Sequence, residues 1–127
     1  MMPTASELTP QQAAAYRTAV RQRWQQEQQE LQQRQARAWE LAYCATDLLK
    51  TRFGASRVVV FGSLVRENCF TPWSDVDIAA WSIPPKDTFL AIGALLELDP
   101  AIAVNLAPAE SCRPALLAVI AQEGIEL

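Results

Sequence analysis

The sequence predicts a mixed α/β (α+β) fold: one small sheet flanked by helices, with a long N-terminal helix in front. Three observations predict it. No Gly or Pro interrupts residues 11–53, and that span is dominated by the good helix formers Ala, Gln, Glu, Arg and Leu. Two apolar, β-branched runs follow it, Arg57–Phe61 and Asp75–Trp81. After them, segments of helical period alternate with a third short apolar run, which is the pattern of one layered α/β domain.

The elements follow in chain order. Residues 1–8 read as frayed. Thr9-Pro10-Gln11-Gln12 reads as a helix start, with Thr9 as N-cap, Pro10 in the first turn and Gln12 closing a capping box. The helix then extends for about 40 residues, or about 60 Å, with room for a break inside, and Gly54 supplies its stop. Within it, Trp39, Ala42, Ala45, Leu48 and Leu49 form a stripe that docks on a domain. The stretch RQRWQQEQQELQQRQAR is different. Trp24, Leu31, Ala38 and Ala45 recur in heptads, but Glu27 and Arg34 occupy the complementary positions and spoil a strict coiled-coil seam. Residues 1–37 are therefore read as a helical arm and 38–127 as the domain. The arm is either a solvated helix or a surface that packs on a partner or on a second copy, with residues 10–52 as the contact.

Arg57–Phe61 reads as a buried strand, and Gly62-Ser63 ends it. Ser63 caps a short helix through about Asn68, and Thr71-Pro72-Trp73 is a loop. Asp75–Trp81 is the second strand and Ser82–Pro85 a loop. Residues 86–98 read as an ordinary core helix, stopped by Pro100. Ala101–Ala107 is the third strand and Ala109–Glu123 the last helix, ending at Gly124.

Composition narrows the function classes. A chain of 127 residues suggests one domain. Its net charge of −3 argues against a general nucleic-acid binder. With no His, and three widely spaced Cys, neither a zinc site nor a Ser/His or Cys/His nucleophile is expected. Cys44 and Cys112 read as reduced core thiols. No signal peptide and no run of about 18 apolar residues is visible. The expectation is a cytoplasmic protein without membrane contact.

The chemistry lies in FGSLVRENCFTPWSDVDI. On a strand, alternate side chains share a face, so Asp75 and Asp77 point one way while Val76 and Ile78 point into the core. Two carboxylates on one face call for a cation between them. Mg²⁺ suits, because it takes one or two carboxylates plus substrate phosphates, and two such ions can clamp a phosphoryl or nucleotidyl transfer. Gly62, at a strand end, lets a phosphate approach the backbone. Ser63 adds a hydroxyl at a helix N-terminus.

Gly62-Ser63, Arg66 and Ser74-Asp75-Val76-Asp77 resemble the signature of the nucleotidyltransferase superfamily to which DNA polymerase beta belongs, and within it the minimal nucleotidyltransferases, or MNT proteins. The resemblance covers about residues 40–124. It implies the polymerase-beta-like sheet flanked by helices, Mg²⁺ as cofactor and ATP as substrate. Gly62, Ser63, Arg66 and Ser74 would bind the nucleotide, and Asp75 and Asp77 would hold metal. It also implies a partner, a small helical HEPN-type toxin that such antitoxins silence, in some cases by transferring AMP to a tyrosine. Three departures stand out. The spacer between Ser63 and Asp75 is eleven residues, one longer than is commonest. Glu67 follows Arg66 where the branch usually has Gly. The place of a third carboxylate falls on Asn105, whose amide can ligate a metal but brings no charge and cannot act as a base. Glu110 is the nearest carboxylate downstream.

Other residues keep two readings each. Arg66 either holds a phosphate or pairs with Glu67 or Asp75. Trp81 either stacks on a base or belongs to the core. Trp73 either lids the site or is a loop residue. Two functions remain open: an adenylyl-transferring enzyme, or a degenerate relative that works by docking through its long helix. RNA chemistry, a third, is disfavoured by the acidic balance.

Overall fold

The computed structural model describes residues 7–127, so the expectation for residues 1–6 lies outside the described part. The fold is mixed α/β, with the element order α1 (Pro10–Phe53), β1 (Arg57–Phe61), β2 (Val76–Trp81), α2 (Thr88–Leu96), β3 (Val104–Pro108), α3 (Pro114–Glu123) and β4 (Ile125–Glu126). Short 3₁₀ turns sit at Gly62–Leu64, Pro85–Asp87 and Ala109–Ser111.

α1 is one helix without a break. Its start is the capping box the sequence predicts: the Gln12 N–H donates to Thr9 Oγ1 (3.1 Å), and the Thr9 N–H donates to Gln12 Oε1 (3.0 Å). Its end is Gly54 at φ +72°, a left-handed conformation that favours glycine. The Ala55 N–H there closes onto the Leu49 carbonyl (3.0 Å). Lys50 and Arg52 in the last turn complement the helix dipole.

The chain forms two compact units, one ending at Gln33 and the other spanning Arg34–Leu127. In the first, Tyr16, Val20 and Trp24 lie exposed on the helix. In the second, α1 buries Ala38, Leu41, Ala42, Ala45, Thr46 and Leu49. Each fully buried Leu contributes about 1.5–3 kcal/mol of transfer free energy.

The sheet has the order β3-β2-β1-β4. β1 pairs antiparallel with β2 and β4, whereas β2 and β3 run parallel. A parallel pair needs a crossover connection, and α2 supplies it. One face carries Val59 and Ala79, packed with Ile120 of α3 and flanked by Phe61 and Trp81. The other carries Val58, Val60, Ile78 and Ala80, all buried.

Several elements differ from the sequence reading. The helix expected from Ser63 is only a 3₁₀ turn over Gly62–Leu64, so no extended helix dipole stands behind Ser63. The last helix begins at Pro114, because the preceding residues form a separate 3₁₀ turn. β4 was not expected, since two residues after Gly124 carry no periodicity. α2 is not an ordinary core helix: it buries Ala91 and Leu95, but Phe89 is 86% exposed and Leu90 and Leu96 are also exposed. Cys44 is exposed rather than buried. Cys112 is half-buried and donates to the Pro108 carbonyl (3.2 Å). Burial, and secondarily the Glu110 carboxylate, push its thiol pKa up. No described helix is long and apolar enough to cross a membrane.

Candidate active site

The site forms where β1 ends and β2 begins. In the antiparallel register Phe61 faces Asp77, so the residue after Phe61 meets the Asp77 side chain. Gly62 takes φ +81°, and a Cβ built there would lie 2.6 Å from Asp77 Oδ2. The left-handed backbone favours glycine here, and any side chain would displace the Asp77 carboxylate from its place against the turn. The Gly62 carbonyl accepts the Val65 and Arg66 N–H groups (3.2 and 3.3 Å), which closes the turn.

Asp77 is half-buried, between buried Val76 and Ile78. Asp75 is also half-buried and directly precedes β2. The Val76 N–H donates to the Ala103 carbonyl (3.0 Å), which ties this end of β2 to the start of β3. The parallel register then sets Asp77 beside Asn105. Asn105 Nδ2 donates to Asp77 Oδ1 (3.3 Å). The place expected for a third carboxylate therefore lies against Asp77, with an amide in it. Glu110 cannot substitute. It lies past the opposite end of β3 and accepts the Ser82 N–H (2.6 Å).

Arg66 follows neither sequence alternative for its ion pair. Its Nε donates to both carboxylate oxygens of Glu123, at 3.1 and 3.0 Å. Glu123, by hydrogen bonding and by charge, raises the Arg66 pKa, with smaller attractions from Cys69 and Asp77. Arg66 thus stays within the field of Asp77 while tethered to the end of α3. Glu67 is exposed.

Ser74 works inside its own loop. Its Oγ accepts the Thr71 N–H (2.9 Å) and shares a 3.0 Å hydrogen bond with Thr71 Oγ1. Trp73 is 84% exposed in this loop. Trp81 packs at the rim of the apolar cluster, with the Arg57 guanidinium 4.6 Å over its ring.

Arg34 supports the site, and the sequence reading gave it no such role. Its Nη2 donates to the Ser74 carbonyl (2.9 Å) and its Nη1 to the Ala101 carbonyl (3.2 Å). One guanidinium thereby holds the approaches to both β2 and β3. Nearby, Asp99 accepts the Ala101 and Ile102 N–H groups (2.7 and 3.1 Å) and the Arg37 Nε (3.0 Å). The only sequence signal for Arg34 was its intrusion into the heptad pattern.

Asp77, and Asp75 just before β2, offer carboxylate oxygens of the kind that suit a hard cation completed by phosphate oxygens, whereas Asn105 turns its Nδ2 rather than its amide oxygen to Asp77. Among the described residues no group of three or more Asp, Glu, Cys or His side chains could hold a metal by itself. The chain matches no protein-family model and no curated protein.

Proposed function

We propose that the protein is a Mg²⁺-dependent nucleotidyltransferase of the minimal, polymerase-beta-like type. A hydroxyl of a protein partner, a small helical HEPN-type toxin whose antitoxin it is, would attack the α-phosphorus of ATP, taking AMP and releasing pyrophosphate. The observation that carries this reading is the close approach of Gly62 to Asp77. That approach supports reading the glycine turn and the Asp-Val-Asp strand as two halves of one site.

In this reading Gly62 and Ser63 receive the triphosphate at the end of β1. Asp75 and Asp77 hold Mg²⁺, which supplies charge stabilisation at phosphorus. Arg66 contributes positive charge beside Asp77, and the Ser74 loop fixes where Asp75 begins. The expected test is intact-mass analysis of the partner after incubation with this protein, ATP and Mg²⁺. A gain of one or more AMP units, lost with Asp77→Asn, supports transfer. No gain with the intact protein removes it.

A second reading is favoured by Asn105 and by Arg66. The third-carboxylate place holds a neutral amide, and the arginine available for phosphate is paired with Glu123. A protein of this kind would bind its partner without modifying it. Stable complex formation with no mass gain is its signature.

A further inference from the structure

We infer that the first unit is a self-association element: two copies pair antiparallel through α1 residues Ala13–Leu31, in one register. The inference does not depend on the chemistry proposed above. It starts from an apolar strip on a helix whose other residues are mostly Gln, Ala, Arg and Glu. Tyr16, Val20 and Trp24 are all exposed and line one shallow cleft with Arg17 and Arg21. No described residue outside the strip covers it: every residue from Tyr16 to Glu30 is exposed.

The occupant follows from the seam positions. Ala13, Arg17, Val20, Trp24, Glu27 and Leu31 alternate at spacings of four and three, the positions that face a partner helix. In a parallel pair each would meet its own copy, so Arg17 would face Arg17 and Glu27 would face Glu27. In an antiparallel pair, seam positions of one type meet those of the other. Setting Val20 opposite Trp24 of the second copy fixes the rest. Arg17 then meets Glu27 of the second copy, and Ala13 meets Leu31. Small residues meet large ones, and each charge in the seam meets its opposite. The two polar residues that spoil a parallel seam become the pair that selects orientation. Arg21 and Arg23 flank the two-fold centre facing like charge, but both are solvent-exposed, where such repulsion is screened.

The test is sedimentation velocity of the full chain over a concentration series. The wild type is expected to form dimers. Arg17→Glu and Glu27→Arg should each weaken association about tenfold or more. Mixing these two single variants should restore dimers, because both acidic seam positions of the first variant then face basic positions of the second. The double variant R17E/E27R should associate like the wild type. All these positions are exposed on a helix surface, so the unfolding transition of the second unit serves as the control for folding. A chain that stays monomeric at about 100 μM overturns the inference. So does a dimer that the single variants leave unchanged, which is what parallel pairing or another contact surface would give. A strip occupied only by a different protein, with no self-association, overturns it equally.

Discussion

At the scale of single residues, Gly62 separates stability from function. Gly62→Ala forces an L side chain into φ +81°, which costs about 1–2 kcal/mol. The new Cβ also displaces Asp77 Oδ2, the end of a side chain that can rotate away, so the clash adds little to that cost. The expected outcome is a modest drop in urea-denaturation midpoint with a disproportionate loss of Mg²⁺ or nucleotide binding by calorimetry. Equal, small losses in both would mean that the carboxylate position is unimportant. Asn105→Asp tests the neighbouring place in the opposite direction. It removes a 3.3 Å donor from Asp77 and adds a like charge. Because Asn105 is exposed, the expected destabilisation without metal is under about 1 kcal/mol. Mg²⁺ should recover it, with about tenfold tighter binding than the parent. Thermal unfolding with and without Mg²⁺ reads both effects. Gly62 and Asp77 were legible because each sits at a strand end with a chemical reason to be there. The Arg66–Glu123 pair was not, since its partners lie 57 residues apart and nothing local announces it.

At the scale of elements, β1, β2 and the capping box of α1 followed from local rules, whereas the start of β3, the whole of β4 and the pattern of exposure did not. The run Phe89–Leu98 has the composition of a core helix, but only Ala91 and Leu95 of it are buried, with Ile92, Ala94 and Leu98 half-buried. Periodicity gives a face, and tertiary packing decides how wide a face is covered. β4 is held by pairing with Val59 and Val60, a long-range contact with no period of its own. The loop leading into β3 carries a pH-dependent contribution. The Ala101 N–H, and then Arg37, hold the Asp99 carboxylate below the usual carboxylate range. A depressed folded-state pKa stabilises above the unfolded value of about 3.9, and that stabilisation is lost as pH falls through the folded value. Asp99→Asn should therefore lower stability at pH 7, and the gap to the parent should narrow at an acidic pH below the usual carboxylate range. Chemical denaturation at the two pH values checks this. A gap that persists in acid would assign the effect to hydrogen-bond geometry rather than charge.

At the scale of the whole molecule, what matters is where the folded domain begins within a continuous helix. Helix propensity runs unbroken through residues 11–53, so composition cannot mark the boundary, and the apolar stripe alone suggested residue 38. Contacts locate the second unit's first residue at Arg34. The buried apolar residues of α1 begin only at Ala38. The four residues between hold Arg34 and Arg37, which join the helix to Ser74, Ala101 and Asp99. Two truncations discriminate these boundaries. A chain starting at Arg34 keeps both guanidinium clamps and all the core residues. Its urea-denaturation free energy should match that of the full chain within about 1 kcal/mol, at dilutions where arm pairing adds nothing. A chain starting at Ala38 loses hydrogen bonds from a charged donor to two carbonyls, each worth about 1.5–3 kcal/mol, together with the partly exposed Arg37–Asp99 pair. From the two Arg34 bonds alone it should lose about 3–6 kcal/mol, a large share of what a domain of this size has. Its β2 and β3 approaches should also exchange amide hydrogens faster than the rest of the sheet. If both truncations are equally stable, Arg34 does not hold the approaches to the site, and the ordering of Asp75 must come from the strands alone.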